Sequence, residues 1–193
     1  YHREILQLND LSLQLKNSRE LFKNLTLSLN NHEIIAVEGK NGSGKSTLIK
    51  YLLGITQNLI AKGSYELIEN LKISYLPQEF VMYSGSLKDF AKKYHLSYEA
   101  LLSNLKKMGF ARADFTTRIE KMSMGQQKRV ALAKSLTEPA NLYLWDEPAN
   151  YLDVFNQDQL IKLLKSVKPT MLLIEHDPYF ITSVADQQIK LTN

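Results

Sequence analysis

Apolar and polar residues alternate through the first thirty positions. From Ile5 to Leu15 the apolar set includes Leu6, Leu8, Leu11, Leu13 and Leu15, and the alternation resumes from Leu21 through Leu25, Leu27 and Leu29. A period of two marks a half-buried strand. The step at Asn9-Asp10 breaks that period and predicts a bulge. Turn-forming residues at Lys16–Glu20 and Asn30-Asn31-His32 separate the runs, so the chain is predicted to open with antiparallel strands. The next run, Glu33-Ile34-Ile35-Ala36-Val37-Glu38, is apolar without alternation and predicts a buried strand.

Helical spacing follows over Ser46–Leu53, closed by Gly54. The stretch to Lys62 carries no clear pattern. Ser64–Ile68 and Leu71–Leu76 predict strands, then Leu87–Tyr94 and Tyr98–Met108 predict helices, the second ending at Gly109. Ser123–Leu136 predicts a helix with Ser123 as its N-cap. Strands are predicted at Asn141–Trp145 and Thr170–Ile174, with an amphipathic helix over Asp153–Val167 between them. A short helix and a last strand near Gln188–Leu191 finish the chain. Strands alternating with helices imply an α/β fold, its sheet mainly parallel and covered on both faces. In such sheets ligands bind at the carboxyl ends of the strands.

At the first of those ends stands Gly39-Lys40-Asn41-Gly42-Ser43-Gly44-Lys45-Ser46-Thr47. It fits G-x-x-x-x-G-K-[ST], placed between a predicted strand and a predicted helix as a nucleotide phosphate loop requires. Glycines let the backbone approach a ligand closely. Successive N–H groups and the positive end of the following helix attract phosphate oxygens. Lys45 can reach the β- and γ-phosphates, and the Ser46 hydroxyl can hold Mg²⁺. A chance match in a Gly/Ser/Lys loop is the alternative.

The other strand ends carry chemistry of matching kind. Asp146 and Glu147 follow Leu142–Trp145, and adjacent residues at a strand end point in different directions. One carboxylate can face Mg²⁺ while the other faces an attacking water. Gln78 follows a predicted strand and can join the metal or water shell. His176 follows another, although a lone histidine is more often structural. Gly125, in the first turn of the helix capped by Ser123, weakens that helix by about 1 kcal/mol relative to alanine. A glycine there points to a close approach, such as a phosphate at the helix N-terminus.

Composition narrows the setting. The charged and apolar fractions, 23% and 44%, are those of an ordinary globular protein. No apolar run is long enough to span a membrane, and no signal peptide is visible. A first residue other than Met suggests an excised or processed chain. The absence of cysteine leaves no thiolate metal site and is compatible with a reducing cytoplasm. Net charge is +4, but Lys88–Lys134 holds 11 Lys/Arg against 4 Asp/Glu. A solvated helix face is the ordinary reading of such a run. A surface facing RNA or a partner's phosphates is the other.

Taken in order, Gly39–Thr47, Gln78, Ser123–Gln127, Leu142–Glu147, Leu152-Asp153 and His176 resemble the Walker A, Q-loop, signature, Walker B, D-loop and H-switch motifs of ATP-binding-cassette (ABC) nucleotide-binding domains. The resemblance spans nearly the whole chain. It implies one P-loop NTPase domain over residues 1–193: a mainly parallel core sheet flanked by helices, an N-terminal antiparallel β subdomain, and a short helical subdomain over about residues 79–136. Asp146-Glu147-Pro148-Ala149-Asn150-Tyr151-Leu152-Asp153 resembles the Asp-Glu-Pro-x-Asn-x-x-Asp string of the soluble ABC-F branch. Ser123-Met124-Gly125-Gln126 and Trp145-Asp146-Glu147-Pro148-Ala149-Asn150 look closest to the second, C-terminal cassette of ABC-F proteins that protect bacterial ribosomes from antibiotics.

The resemblance further implies a cytoplasmic ATPase using ATP and Mg²⁺, in which two cassettes meet head to tail. The second cassette lies in the same full-length chain or comes from a homodimer. Ribosomal RNA is the implied partner of the full-length protein, with no direct membrane insertion. Lys45, Ser46, Gln78 and Asp146 would hold the nucleotide and metal in cis, with the rest of the phosphate loop. Ser123, Gly125 and Gln126 would close on the γ-phosphate held by the opposite cassette, and Asp153 of the D-loop is implied as a further nucleotide-binding residue. Glu147 would polarise water and His176 would position the γ-phosphate. An ATPase subunit of a membrane transporter and a nucleotide-gated binding module with idle hydrolysis are the alternatives. Two positions depart from the family pattern. Met124 replaces the first signature glycine, and Leu15 stands where an adenine-stacking aromatic is usual, with Phe22 the nearest aromatic after it.

Overall fold

The computed structural model, which describes residues 3–16, 20–40 and 43–191, opens with the antiparallel pair that the alternation predicts. Strands β1 (Glu4–Leu15) and β2 (Glu20–Asn30) pair in register from Glu4↔Asn30 to Gln14↔Glu20. The break at Asn9-Asp10 is a bulge. Asp10 takes φ 47° and its N–H turns to the Thr26 hydroxyl at 2.9 Å. The tip of the predicted turn, residues 17–19, lies outside the described residues.

The chain then leaves this sheet through β3 (Ile34–Glu38) and α1 (Lys45–Leu52) and returns to it in β4 (Leu59–Leu67). The antiparallel sheet has the order β2-β1-β4. The strand β4 starts earlier than the predicted Ser64. Its side chains are mostly exposed, so no buried face sets an alternation, and backbone pairing with β1 from Leu6↔Leu67 to Leu15↔Leu59 holds it instead.

The remaining strands build the parallel sheet: β5 (Ile73–Leu76), β6 (Leu142–Asp146), β7 (Met171–Ile174) and β8 (Gln187–Lys190), in the order β5-β6-β7-β3-β8. Between β5 and β6 lie α2 (Leu87–Lys93), α3 (Tyr98–Lys107) and α4 (Met124–Thr137). Two 3₁₀ turns, Arg112–Thr116 and Ile119–Lys121, precede α4 and had no periodic signature. The helices α5 (Val154–Val167) and α6 (Pro178–Val184) complete the chain.

The central strands feed two cores. Ile35, Val37, Leu172 and Ile174 pack with α1 and the antiparallel sheet. Their neighbours Ile34, Ala36, Met171 and Leu173 pack on the other face with α2 to α6. A strand buried on both sides has no polar face to show, which is why these runs read as continuously apolar. Parallel alignment brings the carboxyl ends of β3, β5, β6 and β7 to one edge. Each of the predicted cis-acting groups follows one of these ends.

Candidate functional site

The loop between β3 and α1 is held by its own polar groups. Lys45 is buried, and its Nζ donates to the Gly39 carbonyl at 2.7 Å. The Ser43 N–H donates to the Lys40 carbonyl at 2.9 Å. Gly44 takes φ 100°, and a Cβ there would stand 2.8 Å from the Leu21 Cβ. Glycine at this position is therefore demanded by both backbone angle and packing. A Cβ at Gly39 would overlap the Ser43 hydroxyl. Asn41 and Gly42 lie outside the described residues.

A cavity of about 460 Å³ opens beside this loop, lined by Gly44, Lys45, Ser46, Thr47, Gln78, Asp146 and Glu147, with Leu15, Leu21 and Ile174. Phe22 cannot supply a base-stacking face, because it is fully buried behind Gly44. Leu15, part-exposed at the cavity rim, remains where the family pattern has an aromatic.

Asp146 ends β6 at 1% exposure, and its Oδ1 finds no hydrogen-bond partner among the described residues. Burial pushes its carboxyl above the ordinary range, the Ser46 hydroxyl pulls it down, and the charge of Glu147 adds to the rise. A buried carboxylate oxygen without a donor, beside a serine hydroxyl and the Gln78 amide, fits a hard divalent cation. Ser46 Oγ stands 3.4 Å from Gln78 Oε1. Among the described residues no three His, Cys, Asp or Glu side chains are arranged to hold a metal by themselves. A Mg²⁺ held by Ser46, Gln78 and Asp146 would thus draw the rest of its shell from water and phosphate oxygens, as this ion commonly does.

Glu147 is fixed from several sides. Its N–H donates to the Ile174 carbonyl at 2.7 Å, extending the ladder by one residue. It then takes φ 54°, a left-handed conformation that costs a non-glycine residue about 1–2 kcal/mol. Its Oε2 accepts from Gln78 Nε2 at 2.9 Å and from Asn150 Nδ2 at 2.8 Å. Its Oε1 lies 3.4 Å from His176 Nε2, on a largely exposed imidazole.

Two buried ionisable side chains beneath this turn carry no motif. Glu175, 1% exposed, accepts from the Ala149 N–H at 3.0 Å and from the His176 N–H at 3.1 Å. It therefore braces both the loop after Glu147 and the loop that carries His176. Lys128, 5% exposed, donates from Nζ to the Glu147 carbonyl at 3.2 Å. Sequence signals for both existed: Lys128 lies at i, i+4, i+7 spacing with Leu132 and Ser135 on the buried side of α4, and Glu175 follows β7 directly.

The remaining motif residues lie apart from the cavity lining. Ser123 and Gln126 form a reciprocal cap on α4: the Gln126 N–H reaches Ser123 Oγ at 3.2 Å and Gln126 Oε1 accepts from the Ser123 N–H at 2.8 Å. The Gln126 amide also donates to Asp114 Oδ1 at 2.8 Å. The close approach expected at Gly125 is to this chain's own backbone, since a Cβ there would meet the Tyr151 carbonyl at 3.0 Å. Asp153 caps α5 by accepting from the Asn156 N–H at 2.7 Å.

Residues 22–150 match the ABC transporter family, more than half of the chain. The chain belongs to that family. Its fold, ATP binding and ATPase chemistry follow from membership. The cassette is 32% identical over 196 residues to "Zinc import ATP-binding protein ZnuC 1" of Hahella chejuensis, covering 97% of this chain and 74% of that protein. It is 30% identical over 178 residues to "Ribosome protection protein VmlR" of Bacillus subtilis, covering 91% of this chain and 32% of that protein. It thus spans about a third of the second relative's length. Among solved structures, a chain of an inward-facing ABC transporter superposes with TM-score 0.78 at 27% identity, covering 98% of this chain and 80% of that one. The protein named "RNase-L Inhibitor" superposes with the same TM-score at 26% identity, covering 98% and 37%. Among the described residues no helix is long and apolar enough to cross a membrane.

Proposed function

We propose that this cassette is one half of a two-cassette ABC-F protein that binds and hydrolyses ATP on the ribosome and protects it from antibiotics. The observation that carries the reading is Asn150. It is the residue that gives the Asp146–Asp153 string its ABC-F form, and its amide holds the Glu147 carboxylate at 2.8 Å. Similarity to a ribosome protection protein across 91% of the chain supports the same reading.

In the cycle we infer, Lys45 leaves the Gly39 carbonyl and takes the β- and γ-phosphate oxygens. Ser46, Gln78 and Asp146 would hold Mg²⁺, which when bound would neutralise charge building on the phosphates. Glu147 accepts a proton from the water whose oxygen bonds to the γ-phosphorus, while the bond from that phosphorus to the β–γ bridging oxygen breaks and releases ADP and phosphate. His176, already against Glu147, holds the γ-phosphate in line. Ser123, Gly125 and Gln126 of a second cassette complete the shell, so hydrolysis by one cassette alone is slow.

Transporter coupling is the second reading, favoured by the zinc import relative, of which this chain covers 74%. It needs a groove beside Gln78 for a helix of a membrane subunit. The cleft there, between Pro77, Phe80, Tyr83 and α4, holds about 30 Å³. That is room for about two or three water molecules, so inserted side chains would have to widen it.

Co-sedimentation decides between them. Full-length protein carrying Glu147→Gln should pellet with ribosomes in ATP, and replacing Lys92, Lys93, Lys106 and Lys107 by Gln should weaken that binding, most at low salt. Retention in a membrane complex, or ribosome binding unchanged by the four replacements across a salt series, contradicts the reading.

A further inference from the structure

Lys128 has no role in the motifs, yet it is among the most buried charged side chains of the cassette, at 5% exposure. It sits in the first turns of α4, just past Gly125. Its hydrogen bond goes to the Glu147 carbonyl at 3.2 Å. That carbonyl belongs to the residue in the left-handed conformation, and it also accepts from the Asn150 N–H at 3.3 Å. Desolvation depresses the Lys128 pKa, while the carboxylates of Glu175, Asp146 and Glu147 oppose the fall. A methionine would fill the same channel without the cost of burying a charge. The charge is therefore placed for what it holds.

We propose that Lys128 is a positioning residue for Glu147. Its ammonium fixes the carbonyl of the strained turn and thereby aims the carboxylate. It also ties that turn to the helix whose N-terminus carries Ser123, Gly125 and Gln126. The arrangement of α4 that suits a facing cassette is in this way linked to the aim of the carboxylate in its own site. The inference rests on the catalytic role assigned to Glu147 above.

A double-mutant cycle in the full-length protein tests it, read by single-turnover ATP hydrolysis and by ATP binding. Lys128→Met should lower the hydrolysis rate by about 10- to 100-fold, as loss of an outer-shell partner typically does. Half-saturating ATP should stay within about twofold, because the group acts on the transition state rather than on binding. Added to Glu147→Gln, Lys128→Met should cause no further loss, since both act through one carboxylate. If Lys128→Met does not fold, Lys128→Gln takes its place in the cycle. Parent-like turnover in the Lys128 variant beside a dead Glu147→Gln overturns the inference. So does a loss that adds fully to that of Glu147→Gln, or one matched by lost ATP binding. Parent-like turnover in Glu147→Gln itself overturns the role of Glu147 instead.

Discussion

Gln78 and Glu147 are joined across the site, Nε2 to Oε2 at 2.9 Å, although 69 residues separate them in the chain. With Asn150 donating to the same oxygen, two amide groups compete for one carboxylate. Replacing Glu147 by Gln removes the proposed proton acceptor and leaves a neutral amide facing those donors. Hydrolysis in the full-length protein is expected to fall by about 10²–10⁴, the usual worth of a general base. ATP binding should persist, because Lys45 and the phosphate loop are untouched. Rapid-quench hydrolysis alongside equilibrium nucleotide binding checks both halves.

Trp145 tests what holds Asp146 in place. Its indole is fully buried, and Nε1 donates to Ser135 Oγ at 2.8 Å. Ser135 in turn meets Ser74 at 2.6 Å, and Ser74 donates to Glu138 at 2.9 Å. This chain of bonds ties α4 to β5 and β6. Trp145→Phe leaves a gap and deletes one bond, for an expected cost of roughly 2–4 kcal/mol. For a domain of this size that corresponds to a melting temperature lower by about 5–15 °C. A calorimetric scan showing no change would mean the network does not hold the strand end.

Glu175 should make stability depend on pH. Burial raises its carboxyl above the ordinary 4.5, against the opposing N–H groups of Ala149 and His176. In the window above 4.5 the folded chain keeps a proton that the unfolded chain has released. The stability contributed by this group is full below that window and is lost as pH rises through the folded value. Glu175→Gln cannot ionise and escapes the loss. Melting temperatures measured between about pH 4 and 7 should therefore shift in favour of the variant as pH rises. A difference that is flat, or that runs the other way, contradicts the raised value.

What the sequence disclosed depended on whether burial left a period behind. The Leu6-to-Leu13 alternation located β1 and its bulge, and the apolar run Ile34–Val37 located a strand covered on both faces. The edge strand β4 left little trace, because backbone pairing holds it while its side chains face solvent. Motif spacing located Lys45, Asp146 and Glu147, whose chemistry needs those residue types. It passed over Lys128 and Glu175, whose work is done on backbone atoms of other residues. Gly125 drew notice for its cost to the helix, but its neighbour, the Tyr151 carbonyl, comes from a loop that only folding brings near.

Single-turnover hydrolysis of bound ATP, by the 193-residue chain alone and by the full-length protein, tests the central claim most directly. The cavity beside Gly44 is lined by the groups proposed to act in cis, Lys45, Ser46, Gln78, Asp146 and Glu147, and Ser123, Gly125 and Gln126 do not line it. The isolated chain should bind ATP and hydrolyse it at least about 100-fold more slowly than the full-length protein, for want of the groups that stabilise charge from the facing cassette. Equal rates would contradict a site completed by a second cassette.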